Sequence, residues 1–187
     1  MAKKKSKKLK KRSIPDIKID QILLRDRQLF LFNDINEKIA KGIVQNLYAL
    51  DVINHKRIIL KINSPGGHIS DGIAILDAIR TIKSPVITWI TGIACSMAAI
   101  ISVTGGLRVM TEDSIWMAHP PSGGVGGDYF NYERDRMKLL DLHEETIDEI
   151  LKKCTKLTPK EIMKGKTGEL WLSAKECLKK GIVDKIV

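Results

Sequence analysis

A serine stands at the centre of the apolar stretch GIACSMAA, which runs from Gly92 to Ala99. A serine hydroxyl is a weak nucleophile unless a base, a group that orients the base and donors for an oxyanion surround it. We expect Ser96 where a strand turns into a helix, with small neighbours at Ala94 and Ala98, as in a relaxed nucleophile elbow. A helix N-cap serine is the alternative, and the residue types alone leave both open.

Two further motifs could complete this chemistry. His119 ends an apolar run and enters a proline-glycine loop, where an imidazole could act as the base, although a packed structural histidine fits equally. The diglycine of Ser64-Pro-Gly-Gly67 follows another apolar run and could present the Gly67 amide to an oxyanion. Taken alone, that motif is also compatible with an ordinary turn. His55 and His143 lie beside charged residues, and we expect both to be solvated.

The elements that would position these residues alternate between strands and helices. Apolar runs predict strands at 28–32, 57–62, 86–90, 107–110 and 115–118. Helical spacing or capping motifs predict helices at 35–50, 69–79, 96–103 and 128–153, and after the capping boxes at 158–161 and 173–176. This order predicts an α/β fold with parallel strands and with functional loops at their carboxyl ends. The helix at 128–153, with Asp128 as its cap, would be a rod of about 40 Å that protrudes or packs on another subunit.

The net charge of +10 is concentrated at the start of the chain. Residues 1–12 hold seven lysines and one arginine without an acid, which leaves a nearly neutral remainder. We therefore predict a disordered basic tail over residues 1–16 and one domain over residues 17–187. A nucleic-acid-binding arm is the alternative reading of the tail. Charge and proline between Ile14 and Asp20 argue against a signal peptide.

Composition also narrows the class of protein. The segment from Val86 to Leu107 has no charge, but its hydroxyl residues and glycines favour a buried strand and helix over a membrane span. Three cysteines without metal-like spacing predict neither a disulfide framework nor a zinc site, which fits the cytoplasm. The sequence lacks the G-x-x-x-x-G-K-[ST] phosphate loop, so any nucleotide would belong to a separate protein.

Taken together, the motifs resemble one known family. INSPGG (62–67), GIACSMAA and MAHPPSGGVGG (117–127) resemble, in this order, the ClpP serine peptidases, the proteolytic subunits of the Clp protease. The resemblance extends from about Leu23 to the terminal LSAKECLKKGIVDKIV. It implies a crotonase-like α/β spiral of β-α units with a protruding long handle helix. It also implies two stacked heptameric rings that enclose a chamber.

The same resemblance implies roles for particular residues. Ser96 would be the nucleophile and His119 the base, with the amides of Gly67 and Met97 as the oxyanion hole. The backbone near His68, Ile69, Ser122 and Gly123 would hold the peptide as an added strand.

The sequence departs from the family pattern at three places. Alignment on the terminal LSA puts Glu169 at the position of the usual aspartate, and a glutamate can also orient a histidine. Pro120 replaces the usual glutamine and removes one backbone donor. The lysine-rich start differs from the segment that meets the unfoldase. Phage branches of the family depart similarly, which keeps a capsid-maturation role open.

These observations favour a serine endopeptidase that cleaves peptides or unfolded proteins without a cofactor or metal, with an AAA+ unfoldase as candidate partner. Three alternatives remain. The first is a ring scaffold with weak or no activity, the second is a capsid-maturation protease, and the third is a crotonase-type acyl-CoA enzyme, which also holds an oxyanion with two amides.

Overall fold

The computed structural model describes residues 19–121 and 133–187. The helices are α1 (Ile19–Arg25), α2 (Glu37–Ile53), α3 (Ile69–Thr81), α4 (Met97–Ser102), α5 (Glu133–Cys154), α6 (Pro159–Thr167) and α7 (Ala174–Lys179). The strands are β1 (Gln28–Leu31), β2 (Ile58–Ser64), β3 (Val86–Cys95), β4 (Leu107–Met110), β5 (Ile115–Ala118), β6 (Leu170–Ser173) and β7 (Lys185–Ile186). The α/β fold expected from the sequence is confirmed.

The seven strands form one sheet, in which β1, β2, β3, β4 and β7 lie side by side in parallel. Strand β5 also pairs with β3 in parallel, and β6 pairs with β5 in antiparallel orientation. Parallel neighbours need helical crossovers, which α2 and α3 supply between the first three strands. The carboxyl ends of β2, β3 and β5 therefore lie together, and each leads directly into a motif singled out in the sequence.

Strand β3 bends at Gly92 and changes its neighbour there. Residues Ile87 to Ile90 pair with β4, whereas Ile93 to Cys95 pair with β5. Gly92 has a φ of 92°, and a Cβ at this position would come within 2.6 Å of the Asn63 side-chain oxygen. That oxygen accepts a hydrogen bond from the Ile93 amide at 3.1 Å. The bend thus directs the end of β3, and the serine that follows it, toward β5.

The core lies between the sheet and the helices. In β2, residues Ile58, Leu60 and Ile62 are buried, and α2 and α3 contribute their apolar stripes to the same cluster. Trp116 on β5 is fully buried and donates a hydrogen bond to the Ala99 carbonyl at 3.2 Å. This hydrogen bond fixes α4 to β5. Helix α4, which follows β3, and strand β5 are therefore held in a defined relative position.

Most expected elements are confirmed, with shifted ends and three additions. Helix α1 and strands β6 and β7 were not predicted. Both capping boxes, at Thr158 and Ser173, form as expected. The predicted Asp128 cap and the start of the long helix lie outside the described residues. No helix within the described ranges is long and apolar enough to cross a membrane.

Candidate active site

Ser96 occupies a sharp turn between β3 and α4. Its φ of 54° and ψ of −127° are values that non-glycine residues rarely adopt, and such strain costs about 1–3 kcal/mol. Its amide donates to the Met117 carbonyl at 2.8 Å, which anchors the turn to β5. The Ser96 side chain makes no capping hydrogen bond to α4. The geometry is therefore that of a nucleophile elbow, and the ordinary N-cap alternative is not supported.

The diglycine loop after β2 packs directly against this turn. The Ser64 hydroxyl donates to the Asn33 carbonyl at 2.7 Å and accepts the Gly66 amide at 3.2 Å. Gly67 has a φ of 144°, and a Cβ there would lie 2.2 Å from the Ile35 carbonyl oxygen. A residue with a Cβ would clash with the Ile35 backbone, so this close approach of the loop to Ile35 requires glycine.

Two backbone amides near Ser96 have no partner in the described part of the chain. The Ile35 amide and carbonyl bond to Gly66 and His68, and neither bond uses the amide of Gly67. The Met97 amide begins α4 and likewise donates to no acceptor within residues 19–121 and 133–187. Unpaired, rigidly held amides are the donors that an oxyanion requires. The two amides predicted for that role are thus available for it.

A cavity of about 700 Å³ opens beside Ser96. Every predicted site residue in the described ranges lines it, with the exception of Glu169; they are Ser96, His119, Gly67, Met97, His68 and Ile69. Its apolar wall includes Ile100, Trp116, Ile147, Leu151 and Ile162. The cavity joins site residues from the segments that follow β2, β3 and β5, and it is large enough for an amino-acid side chain.

The hydroxyl of Ser96 and the ring of His119 share this cavity but do not form a hydrogen bond with each other. Such bonds are often long before substrate binds. The Glu169 carboxylate is exposed and accepts a hydrogen bond from the Trp171 indole at 2.8 Å, away from the cavity. The structure thus brings Ser96 and His119 together and leaves the side chain of Glu169 outside.

His68 differs from its expected role in one respect. Its amide donates to the Ile35 carbonyl at 2.9 Å, and its carbonyl accepts the Gly72 amide at 3.0 Å. Both backbone groups are therefore engaged, and what His68 offers the cavity is its exposed imidazole, which lies 3.1 Å from Asp71. Ser122 and Gly123 lie outside the described residues.

The cavity wall also contains a charged cluster that was not predicted from the sequence. Lys166 contacts Asp148 at 3.0 Å and Glu144 at 3.3 Å, and thereby links α6 to α5. The hydrogen bond to Asp148 is the main cause of a raised pKa of Lys166. His143, expected to be solvated, is half-buried in the same wall. The spacing of Glu144 and Asp148 on one helix face was the available signal.

No group of three or more potential metal ligands occurs within residues 19–121 and 133–187. The three cysteines are free thiols, and two of them, Cys95 and Cys177, are buried. The reactive groups that this cavity offers are thus a hydroxyl, imidazoles, carboxylates and a lysine.

Proteins of one known family are similar to this chain in sequence. The Clp protease family model matches residues 11–187. The ATP-dependent Clp protease proteolytic subunit of Streptococcus mutans is 38% identical over 172 residues, which cover 88% of this chain and 86% of the relative. Proteolytic subunit 2 of the same protease from Pseudomonas aeruginosa is 34% identical over 172 residues, which cover 91% of this chain and 85% of the relative.

An α/β sheet that carries a strained serine beside a diglycine loop is thus found in a chain whose relatives are proteolytic subunits of the Clp protease, which makes it a serine-type endopeptidase. The chain belongs to the Clp protease family, as a member of its ClpP-type proteolytic subunits.

Proposed function

We propose that this chain hydrolyses peptides and unfolded proteins through an acyl-enzyme on Ser96, with His119 as general base and Glu169 as the orienting acid. The observation that carries the proposal is the turn at Ser96, which is strained, makes no capping bond and opens into the cavity that His119 shares. Strain of this kind persists where the surrounding structure enforces it for function.

In the first step, His119 takes the Ser96 proton as the hydroxyl oxygen attacks the scissile carbonyl carbon. The negative charge that develops on the carbonyl oxygen is stabilised by the amides of Gly67 and Met97, which need no rearrangement. His119 then gives its proton to the leaving amine, and the C–N bond breaks. Water, deprotonated by His119, attacks the acyl-enzyme and regenerates the Ser96 hydroxyl.

The substrate is held in an extended conformation beside α3 and the loop after β5. Ile69 and the segment of Ser122 and Gly123 provide the backbone partners, because those of His68 are already occupied. The apolar wall formed by Ile100, Ile147 and Ile162 accepts a substrate side chain. Cleavage therefore requires an unfolded segment, which agrees with peptides and unfolded proteins as substrates.

The working form is an assembly of two stacked heptameric rings in the cytoplasm, supplied by an AAA+ unfoldase. Exposed apolar side chains on the sheet support an interface between copies; they are Phe30, Leu107 and Ile115. The relatives carry the description ATP-dependent, and the sequence of this chain has no phosphate loop of its own.

A nucleic-acid role of the basic tail at residues 1–12 remains a separate proposal, tested by the salt dependence of binding.

The test is hydrolysis of a fluorogenic peptide by the assembled protein. Ser96→Ala and His119→Ala should each lower kcat by about a thousandfold or more. Ser70→Ala is the matched control, because Ser70 lines the same cavity on an exposed turn of α3 and should retain kcat. Undiminished hydrolysis by Ser96→Ala would exclude the proposed nucleophile.

One observation favours a second candidate, a ring scaffold with little activity. The carboxylate of Glu169 points to Trp171 rather than into the cavity. Robust peptide turnover by the unaltered chain would exclude this candidate.

A further inference from the structure

We propose that Trp171 is a positioning residue that holds the Glu169 carboxylate away from His119, so that release of this carboxylate activates the site. The inference rests on the proposed function, in which Glu169 orients the base. Trp171 would compete with His119 for the Glu169 carboxylate, and this competition would regulate the triad of Ser96, His119 and Glu169. Trp171 acts through Glu169 and does not itself touch the substrate.

The pairing of β6 with β5 determines the backbone position of Glu169. In the antiparallel pair of β5 and β6, Met117 lies opposite Trp171 and Ala118 lies opposite Leu170. Continued by one residue, this register sets His119 opposite Glu169. Opposed residues of an antiparallel pair have their Cβ atoms about 4.5–5.5 Å apart, a distance that a glutamate side chain can bridge. The backbone therefore offers the acid to His119.

The side chain of Glu169 is directed toward Trp171. Residues two apart on an extended segment share one side, so Glu169 and Trp171 lie on the exposed side of β6. The Trp171 Nε1 donates to Glu169 Oε2 at 2.8 Å, and no described residue other than Trp171 forms a hydrogen bond with this carboxylate. No ion pair joins Glu169 to His119. The Trp171 indole thus bonds to the carboxylate of Glu169, the residue whose backbone the strand register places opposite His119.

The strength of the hydrogen bond between Trp171 and Glu169 depends on its exposure to water. A hydrogen bond from an indole to a carboxylate is charge-assisted, but both side chains are exposed, since Trp171 keeps 51% of its surface open. Water can replace the indole at modest cost. The hydrogen bond is therefore strong enough to hold the Glu169 carboxylate at Trp171 instead of at His119, and weak enough to be broken during turnover.

The test replaces the indole with a ring that cannot donate. Trp171→Phe should raise kcat by about fivefold with KM unchanged, because a larger share of the protein then has Glu169 free to meet His119. In a Glu169→Gln background, the same substitution should leave kcat unchanged. A kcat that stays constant or falls in Trp171→Phe, or that rises equally in both backgrounds, would overturn the inference.

A second measurement uses the unaltered sequence and does not depend on how the variant folds. The chain contains three tryptophans, so ¹⁵N-labelled indoles give three N–H resonances. Reaction of Ser96 with a fluorophosphonate should move the Trp171 resonance in the native protein but not in Glu169→Gln. A Trp171 resonance that does not move in the native protein contradicts the inference. If Ser96→Ala retains activity, the proposed function itself is wrong; if only the Trp171 effects are missing, this inference alone fails.

Discussion

Gly66 lies so close to Ser96 that a Cβ placed on the glycine would come within 2.6 Å of the serine Cβ. The same added atom would lie 2.7 Å from the Cys95 carbonyl oxygen and 3.0 Å from the Met97 amide nitrogen. The loop that carries one proposed oxyanion donor and the turn that carries the proposed nucleophile and the other proposed donor are therefore packed backbone to backbone. A displacement of either one displaces both parts of the site.

Gly66→Ala should therefore impair both stability and catalysis. The φ of 103° at this position is unfavourable for alanine, and the contacts with backbone atoms cannot relax without moving the turn. We expect a loss of about 3 kcal/mol in the free energy of unfolding and about a hundredfold in kcat. Chemical denaturation and peptide hydrolysis measure the two effects.

The matched control is Gly42→Ala in α2, where an added Cβ meets no atom within 4 Å. In a helix interior, this change should stabilise the protein by about 0.5–1 kcal/mol and leave kcat unaltered. Equal behaviour of the two alanine variants would contradict the packing described for Gly66.

Acid should weaken the start of α6 through Glu161. The ion pair with Lys180, followed by hydrogen bonds from Thr158, lowers the pKa of Glu161 from 4.5 to about 2. A depressed folded-state pKa stabilises the protein above pH 4.5, and this contribution is lost as the pH falls toward 2. Between these values, the Tm of the native protein should fall more steeply than that of Glu161→Gln, which keeps the capping box.

Glu149→Gln is the control for this acid effect, because Glu149 forms only an exposed ion pair with Lys153. Its Tm should follow that of the native protein over the whole pH range. Parallel pH curves for the native protein and Glu161→Gln would show that the Lys180 pair does not contribute.

Thiol reactivity should distinguish the three cysteines. Burial, with a smaller effect of the Glu176 charge, raises the pKa of the Cys177 thiol to about 12, and burial also raises the pKa of Cys95. Because the thiolate is the reactive form, iodoacetamide at pH 8 should modify the half-buried Cys154 first. Peptide mapping by mass spectrometry would show this order, and it should disappear in denaturant. Rapid modification of Cys177 in the folded protein would contradict the described core.

The sequence predicted the elements whose patterns are local. The apolar run in β2 and the capping boxes at Thr158 and Ser173 appear where they were expected. Strand β6 was missed because four residues, LWLS, carry too little pattern and run directly into a capping box. Its antiparallel pairing with β5 depends on long-range contacts that no local pattern specifies.

In the candidate site too, features with a local sequence pattern were predicted, and features that depend on long-range packing were not. The types and order of the motifs were sufficient to place Ser96, His119, Gly67 and Met97 around one cavity. The position of Lys166 between Glu144 and Asp148 was not predicted, because it depends on how α6 packs against α5. Nor could the sequence show that the Glu169 side chain bonds to Trp171, since the register predicts where a residue lies but not which partner its carboxylate selects.

The most direct test of the central claim is the site at which a fluorophosphonate probe attaches. The probe phosphorus should be found on Ser96 in the native protein and in Ser70→Ala, with no labelled peptide from Ser96→Ala. Labelling that persists in Ser96→Ala, or an adduct mapped to any other residue in the native protein, would contradict the account.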